Sequence, residues 1–334
     1  MFLKQLQQPS IHVVLISLLV SALLWFAPLL FQSADEIEMC NLLFLNQYTL
    51  WVLPMWMARL VAFVVVFLLM LWLNTLCEQF QILPSRSMVP FVLGILLMSV
   101  VDYVQILNAQ LVAFVFFFLA LVQVFGVLHS SNSSFAAFNS VILTLIASLF
   151  QPQYIWFILL IVLSLFFFRA FTARALVSIL IALLAFVFTV FSISWLLQST
   201  DLLLIYLQQI TDFSFPWSSE FNPYQMLYRS DFILIILLLL LSIFSLFYYF
   251  SFSTSCKLNV RLNFEFINWS SWLILIWLLF FTMISTQLLL PFLLFEVLCI
   301  SFYFSTNFGR VANIIFLVTL LILLAYRVLW IFGY

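Results

Sequence analysis

The chain has 334 residues, of which 67% are apolar and 6% charged, with a formal net charge of −1. A soluble domain carries about 25% charged residues, so a water-facing surface cannot be built from this composition. That excludes a soluble enzyme fold, and the absent basic surplus offers nothing to a nucleic acid.

Runs of about 20 apolar residues recur along the whole length, each long enough to cross a bilayer as a helix. They do not alternate apolar and polar residues, as barrel strands would. The expectation is an all-α, polytopic transmembrane bundle forming one integral membrane domain, 1–334. The spans expected in chain order are 11–31, 55–75, 89–106, 109–128, 135–150, 153–171, 175–197, 231–250, 269–288, 291–306 and 311–333, eleven in all. The first run is too long for a cleaved signal core and reads as a retained span. The fifth is short and could be re-entrant. Pro54, Trp51 and Trp56 suggest that 41–53 lies along the interface. The outer segment 198–230 opens amphipathic and continues with Phe213, Phe215, Trp217, Phe221, Tyr224 and Tyr228, an aromatic belt on the membrane face. The stretch 251–268, with Lys257, Arg261 and Glu265, reads as a solvated inner hinge.

Charge orients this threading. With the N-terminus in the cytoplasm, Lys4, Arg86, Arg169, Arg174, Lys257, Arg261 and Arg310 fall at inner span ends, seven of the ten basic residues. Only Arg59, Arg229 and Arg327 fall outside. The positive-inside rule therefore predicts an inner N-terminus and an outer C-terminus.

What is missing narrows the chemistry. Four Gly residues leave no phosphate-cradling loop. His12 and His129 are the only histidines, and Cys40, Cys77, Cys256 and Cys299 are scattered, so neither a metal site nor a cofactor is expected.

The few charges within or beside the spans carry the candidate sites. QSADEIEMCN, 32–41, gathers Asp35, Glu36 and Glu38 at the outer mouth of the first span. Its plain reading is a solvated loop. Its sharper reading uses Arg59, about 6 Å along the second span from the same mouth. A carboxylate there could accept a hydroxyl proton as general base, and a guanidinium could hold phosphate oxygens in a fork. Arg229, at the outer start of the eighth span, could join it. Asp102 sits near the outer end of the third span beside Tyr103 and Gln105, where water is expected to reach it. Glu296 and Arg327 lie deeper, at about 8 and 9 Å from the outer face. A charge in lipid costs roughly 3 kcal/mol or more, so each needs a partner or a function. Equal depth on consecutive antiparallel spans predicts that Glu296 and Arg327 pair; the alternative is that each faces a polar cavity as a site residue.

Two resemblances add to this. The acidic pair Asp35-Glu36 after the first span, followed by the interfacial stretch 41–53, resembles polytopic GT-C glycosyltransferases, which use polyprenyl-phosphate sugars. That resemblance implies catalytic roles for Asp35 and Glu36 and a lipid-linked substrate, although the large outer domain of many such enzymes is absent here. More of the chain, 108–127 and 138–186, including "ASLF" before a span that closes on Arg169, resembles an uncharacterised family of Gram-negative inner-membrane proteins. Some members carry the label carotene monooxygenase, which implies a four-histidine iron site that two histidines cannot build. The function expected is a GT-C-like transferase or polymerase of lipid-linked sugars in the cell envelope. The alternative is a non-catalytic scaffold or accessory subunit with membrane-protein partners. A transporter ranks behind both, because few polar residues line the spans.

Overall fold

The structure is a computed structural model that describes residues 2–7, 10–31, 39–44, 48–101, 104–129, 133–196, 208, 210, 229–280 and 288–331. After a single turn at Phe2–Gln5 come α1 (Ile11–Phe31), a hairpin of β1 (Met39–Phe44) and β2 (Tyr48–Pro54), α2 (Met55–Gln79), α3 (Val89–Val100), α4 (Ala109–Gly126) and α5 (Ser133–Phe150). A 3₁₀ segment, Pro152–Phe157, leads into α6 (Ile158–Phe167); then follow α7 (Ala173–Leu196), α8 (Arg229–Phe252), α9 (Leu258–Phe280), α10 (Leu289–Thr306) and α11 (Arg310–Ile331). Among the described residues, seven of these helices are long and apolar enough to cross a membrane: α2, α4, α5, α7, α8, α10 and α11.

Two elements differ from the sequence reading, and a third takes a form the sequence did not specify: the stretch 41–53, expected to lie along the interface, is an antiparallel hairpin, with Cys40 opposite Leu53 and Leu42 opposite Trp51. Thr49, Trp51 and Val52 are residues that favour a pleated surface, and Pro54 can end a strand but not continue one. The hairpin packs on α2, α4 and α5. The expected hinge 251–268 is mostly helix, because α9 begins at Leu258. Val260, Phe264 and Ile267 recur at helical spacing and are buried, while Arg261 and Glu265 sit between them and hide the period. The expected span 89–106 is helical only as far as Val100, where the chain turns extended at Val101. The 198–230 belt, apart from residues 208, 210, 229 and 230, lies outside the described residues.

Two helices make the centre. Every residue of α3 is buried, and so is every residue of α10 from Leu289 to Ser305. The two pack on each other; α3 also meets α1, α2 and α11, and α10 also meets α4, α8 and α9. Gly94 lets α2 approach α3 closely, since a Cβ there would stand 2.6 Å from Met70 Sδ. Apolar surface gains little from leaving lipid, so this contact rests on close van der Waals packing. Rings supply much of it: Phe117 meets Phe157 at 4.4 Å, and Phe264 meets Phe302 at 4.4 Å between centroids.

Hydrogen bonds between distant segments define two ends of the bundle. At one end Leu3 N donates to Asn313 Oδ1 (3.1 Å), Met88 N to Leu6 O (2.7 Å), Asn263 Nδ2 to Phe80 O (3.1 Å) and Ser85 Oγ to Ser305 O (2.5 Å). This end holds Lys4, Arg86, Lys257, Arg261 and Arg310, and the Phe168–Phe266 ring contact brings Arg169 and Arg174 toward it. At the other end, beneath the hairpin, Leu107 N donates to Ala58 O (3.3 Å).

Candidate functional site

The hairpin end carries a buried polar cluster built by four helices. Trp25, on α1, is fully buried, and its indole N–H is shared between the carbonyls of Arg59 and Gln105, each at 3.2 Å. Gln105 lies just past α3 and is 2% exposed. Its amide nitrogen donates to Ser99 O at 2.6 Å, and its amide oxygen accepts from Arg327 Nη2, on α11, at 2.7 Å. Arg59 and Arg327 are 6% and 0% exposed. The structure thus links two of the expected site residues, 268 positions apart in the chain, through Trp25 and Gln105: Arg59 by its main-chain carbonyl and Arg327 by its guanidinium. An apolar medium makes each such bond costly to lose, because a stranded buried donor has no water to turn to.

Sequence reasoning placed Gln105 in a wetted neighbourhood and gave Trp25 no role. A signal was present for Trp25: it falls in the last third of an apolar run, where an indole N–H needs an acceptor. Gln105 could not be foreseen, since its partners come from α1 and α11.

Glu296 lies elsewhere and does not pair with Arg327. It is fully buried on α10; its Oε1 accepts from Ser271 Oγ at 2.5 Å, and Ser242 of α8 faces the same carboxyl. Among the described residues nothing hydrogen-bonds Oε2. The expected ion pair is therefore replaced by hydroxyl contacts. Its premise was that consecutive helices pack as a hairpin, but α10 is held chiefly by α3, α4, α8 and α9, whereas α11 leans on α1 and α3. Among the described residues the ion pair that does form joins Arg86 Nε to Glu78 Oε2 at 3.9 Å, at the basic end.

Asp35, Glu36, Glu38 and Asp102 lie outside the described residues, and Arg229 opens α8. Near the basic end, burial pushes the Cys256 thiol up from its ordinary value while Arg261 pulls it part of the way back. Among the described residues no group of three or more His, Cys, Asp or Glu side chains converges as a metal site. Comparison with protein-family models, with curated proteins and with solved structures finds no match.

Proposed function

We propose that this multi-pass membrane protein acts at the hairpin end, facing outward from a bacterial inner membrane, as a GT-C-like transferase or polymerase of lipid-linked sugars. The observation that carries the reading is that the Arg59 main chain and the Arg327 guanidinium are tied together, through Trp25 and Gln105, at the hairpin end, where the chain passes from α1 through 32–38 to β1. Cationic groups at one membrane boundary favour a phosphate-bearing ligand there. In this reading Asp35 or Glu36 takes the proton of an acceptor hydroxyl as its oxygen bonds to the anomeric carbon. The bond from that carbon to phosphate breaks, and polyprenyl phosphate leaves. Arg59 and Arg229 hold the phosphate oxygens, and Glu38 and Asp102 shape the local field. The gathering of seven basic residues toward the opposite end supports the orientation.

The test is release of polyprenyl phosphate from a polyprenyl-phosphate-linked sugar by the protein in nanodiscs. Asp35→Asn or Glu36→Gln should slow release by about 10²–10⁴-fold. No release by the unaltered protein overturns the enzyme reading.

A second reading, a non-catalytic subunit, is favoured by α7. That helix packs mainly on α5; it buries Ala175, Ile179 and Ala182 and leaves Leu180, Leu184 and Phe188 exposed. Retained cellular function in the Asp35→Asn, Glu36→Gln double variant would select it.

A further inference from the structure

At the basic end, remote from the cluster just described, a half-open cavity of about 270 Å³ lies between the end of α2 and the start of α9. Its polar lining is Glu78, Gln81, Ser85, Arg86 and Lys257, with Leu83 and Val260 on the apolar side. The loop that forms it is tied down from three directions. Asn263 of α9 donates to Phe80 O, Ser85 donates to Ser305 O of α10, and Met88 N donates to Leu6 O. Gln81 holds φ at 51°, a left-handed conformation that is unfavourable for a residue with a Cβ. That conformation closes α2, with Ile82 N donating back to Cys77 O at 3.0 Å, and turns the loop across the cavity.

The cations are available. Arg86 is 80% exposed, and its contact with Glu78 is a single one through Nε at 3.9 Å, not a two-pronged fork. Both terminal nitrogens remain for a ligand. Lys257 is exposed, at the opposite wall. Two cations face one carboxylate, so the cavity favours an anion.

We propose that this cavity binds a phosphate group, with Arg86 as the forked donor and Lys257 as the point charge. Because it opens where spanning helices end, its occupant is the headgroup phosphate of an anionic phospholipid; the same chemistry would also accept free phosphate. Leu83 and Val260 offer apolar surface for the glycerol beyond the phosphate.

The experiment uses the full chain in nanodiscs of phosphatidylcholine or of phosphatidylglycerol, with thermal unfolding and retained lipid (by native mass spectrometry) as readouts. Phosphatidylglycerol should raise the unfolding temperature and remain bound. Arg86→Gln with Lys257→Gln should weaken retention roughly thirtyfold, at about 1 kcal/mol per juxtamembrane cation. Arg169→Gln with Arg174→Gln removes the same charge outside the cavity and should leave retention unchanged. Glu78→Gln removes the competing acid and should tighten it. If inorganic phosphate in phosphatidylcholine discs reproduces the stabilisation, the source is free phosphate. Equal loss in both double variants, or no lipid dependence in any chain, overturns the site.

Discussion

Arg327 donates to the side chain of Gln105 at 2.7 Å, and the two lie 222 residues apart in the chain. The same Gln105 also donates to Ser99 O and, through its carbonyl, shares the Trp25 indole with Arg59. The side chain and main-chain carbonyl of Gln105, together with the Trp25 indole, therefore couple α1, α2, α3 and α11 at the hairpin end. In lipid this coupling supplies the orientation that apolar packing, being non-directional, does not.

The coupling is measurable. Gln105→Leu removes the acceptor of Arg327 Nη2 and should destabilise by roughly 2 kcal/mol, a hydrogen bond to a charged group being worth about 1.5–3 kcal/mol. In a double-mutant cycle with Arg327→Leu, the pair should be less harmful than the sum of the single changes by about 1–2 kcal/mol. Unfolding in mixed detergent micelles measures each arm, and strict additivity would remove Gln105 from its bridging role.

Glu296 should tolerate neutralisation. It accepts from Ser271 and, among the described residues, pairs with no cation, so Glu296→Gln keeps an acceptor for Ser271 and leaves no stranded charge. The expected change in unfolding free energy is less than about 1 kcal/mol, against about 3–5 kcal/mol for removing one partner of a buried pair. Glu296→Leu removes the acceptor as well and should cost more, about 1–3 kcal/mol for the unmet Ser271 hydroxyl.

Gly94 is a packing position. Its substitution by Ala would set a Cβ 2.6 Å from Met70 Sδ, with Val297 Cγ1 3.7 Å away on the α10 side. The sulfur sits in a flexible side chain, so the expected cost is about 1–3 kcal/mol rather than misfolding. Met70→Ala alone leaves a cavity. Adding Gly94→Ala to that variant should be nearly neutral, because the clash is gone. A full penalty in both backgrounds would place the strain elsewhere.

Sidedness has a chemical test. Lys257 is exposed at the basic end, so Lys257→Cys in a chain otherwise free of cysteine should resist a membrane-impermeant maleimide until the cells are opened. Labelling in intact cells would reverse the orientation. Native Cys256, 9% exposed and with its thiol pushed up by burial, should react more slowly than this neighbour. Its rate should still be rising with pH where a free thiol, with pKa near 8.5, has levelled.

Composition alone determined the solvent of this protein: with 6% charged residues, only lipid can face its surface. Apolar runs of membrane length likewise announced helices, because a backbone in lipid must satisfy itself within each segment. The hairpin was hidden, since the stretch 41–53 is short enough to be strand or interfacial helix, and only the pairing of β1 with β2 separates them. The start of α9 was hidden because two charges interrupt its apolar face. Pairing across helices was beyond reach for a deeper reason. Depth along a span follows from counting residues, but the neighbour of a span depends on packing against the whole bundle. Counting gives Glu296 and Arg327 the same expected depth, yet α10 sits at the centre while α11 turns to α1 and α3. Tertiary structure alone gave Arg327 to Gln105 and Glu296 to Ser271.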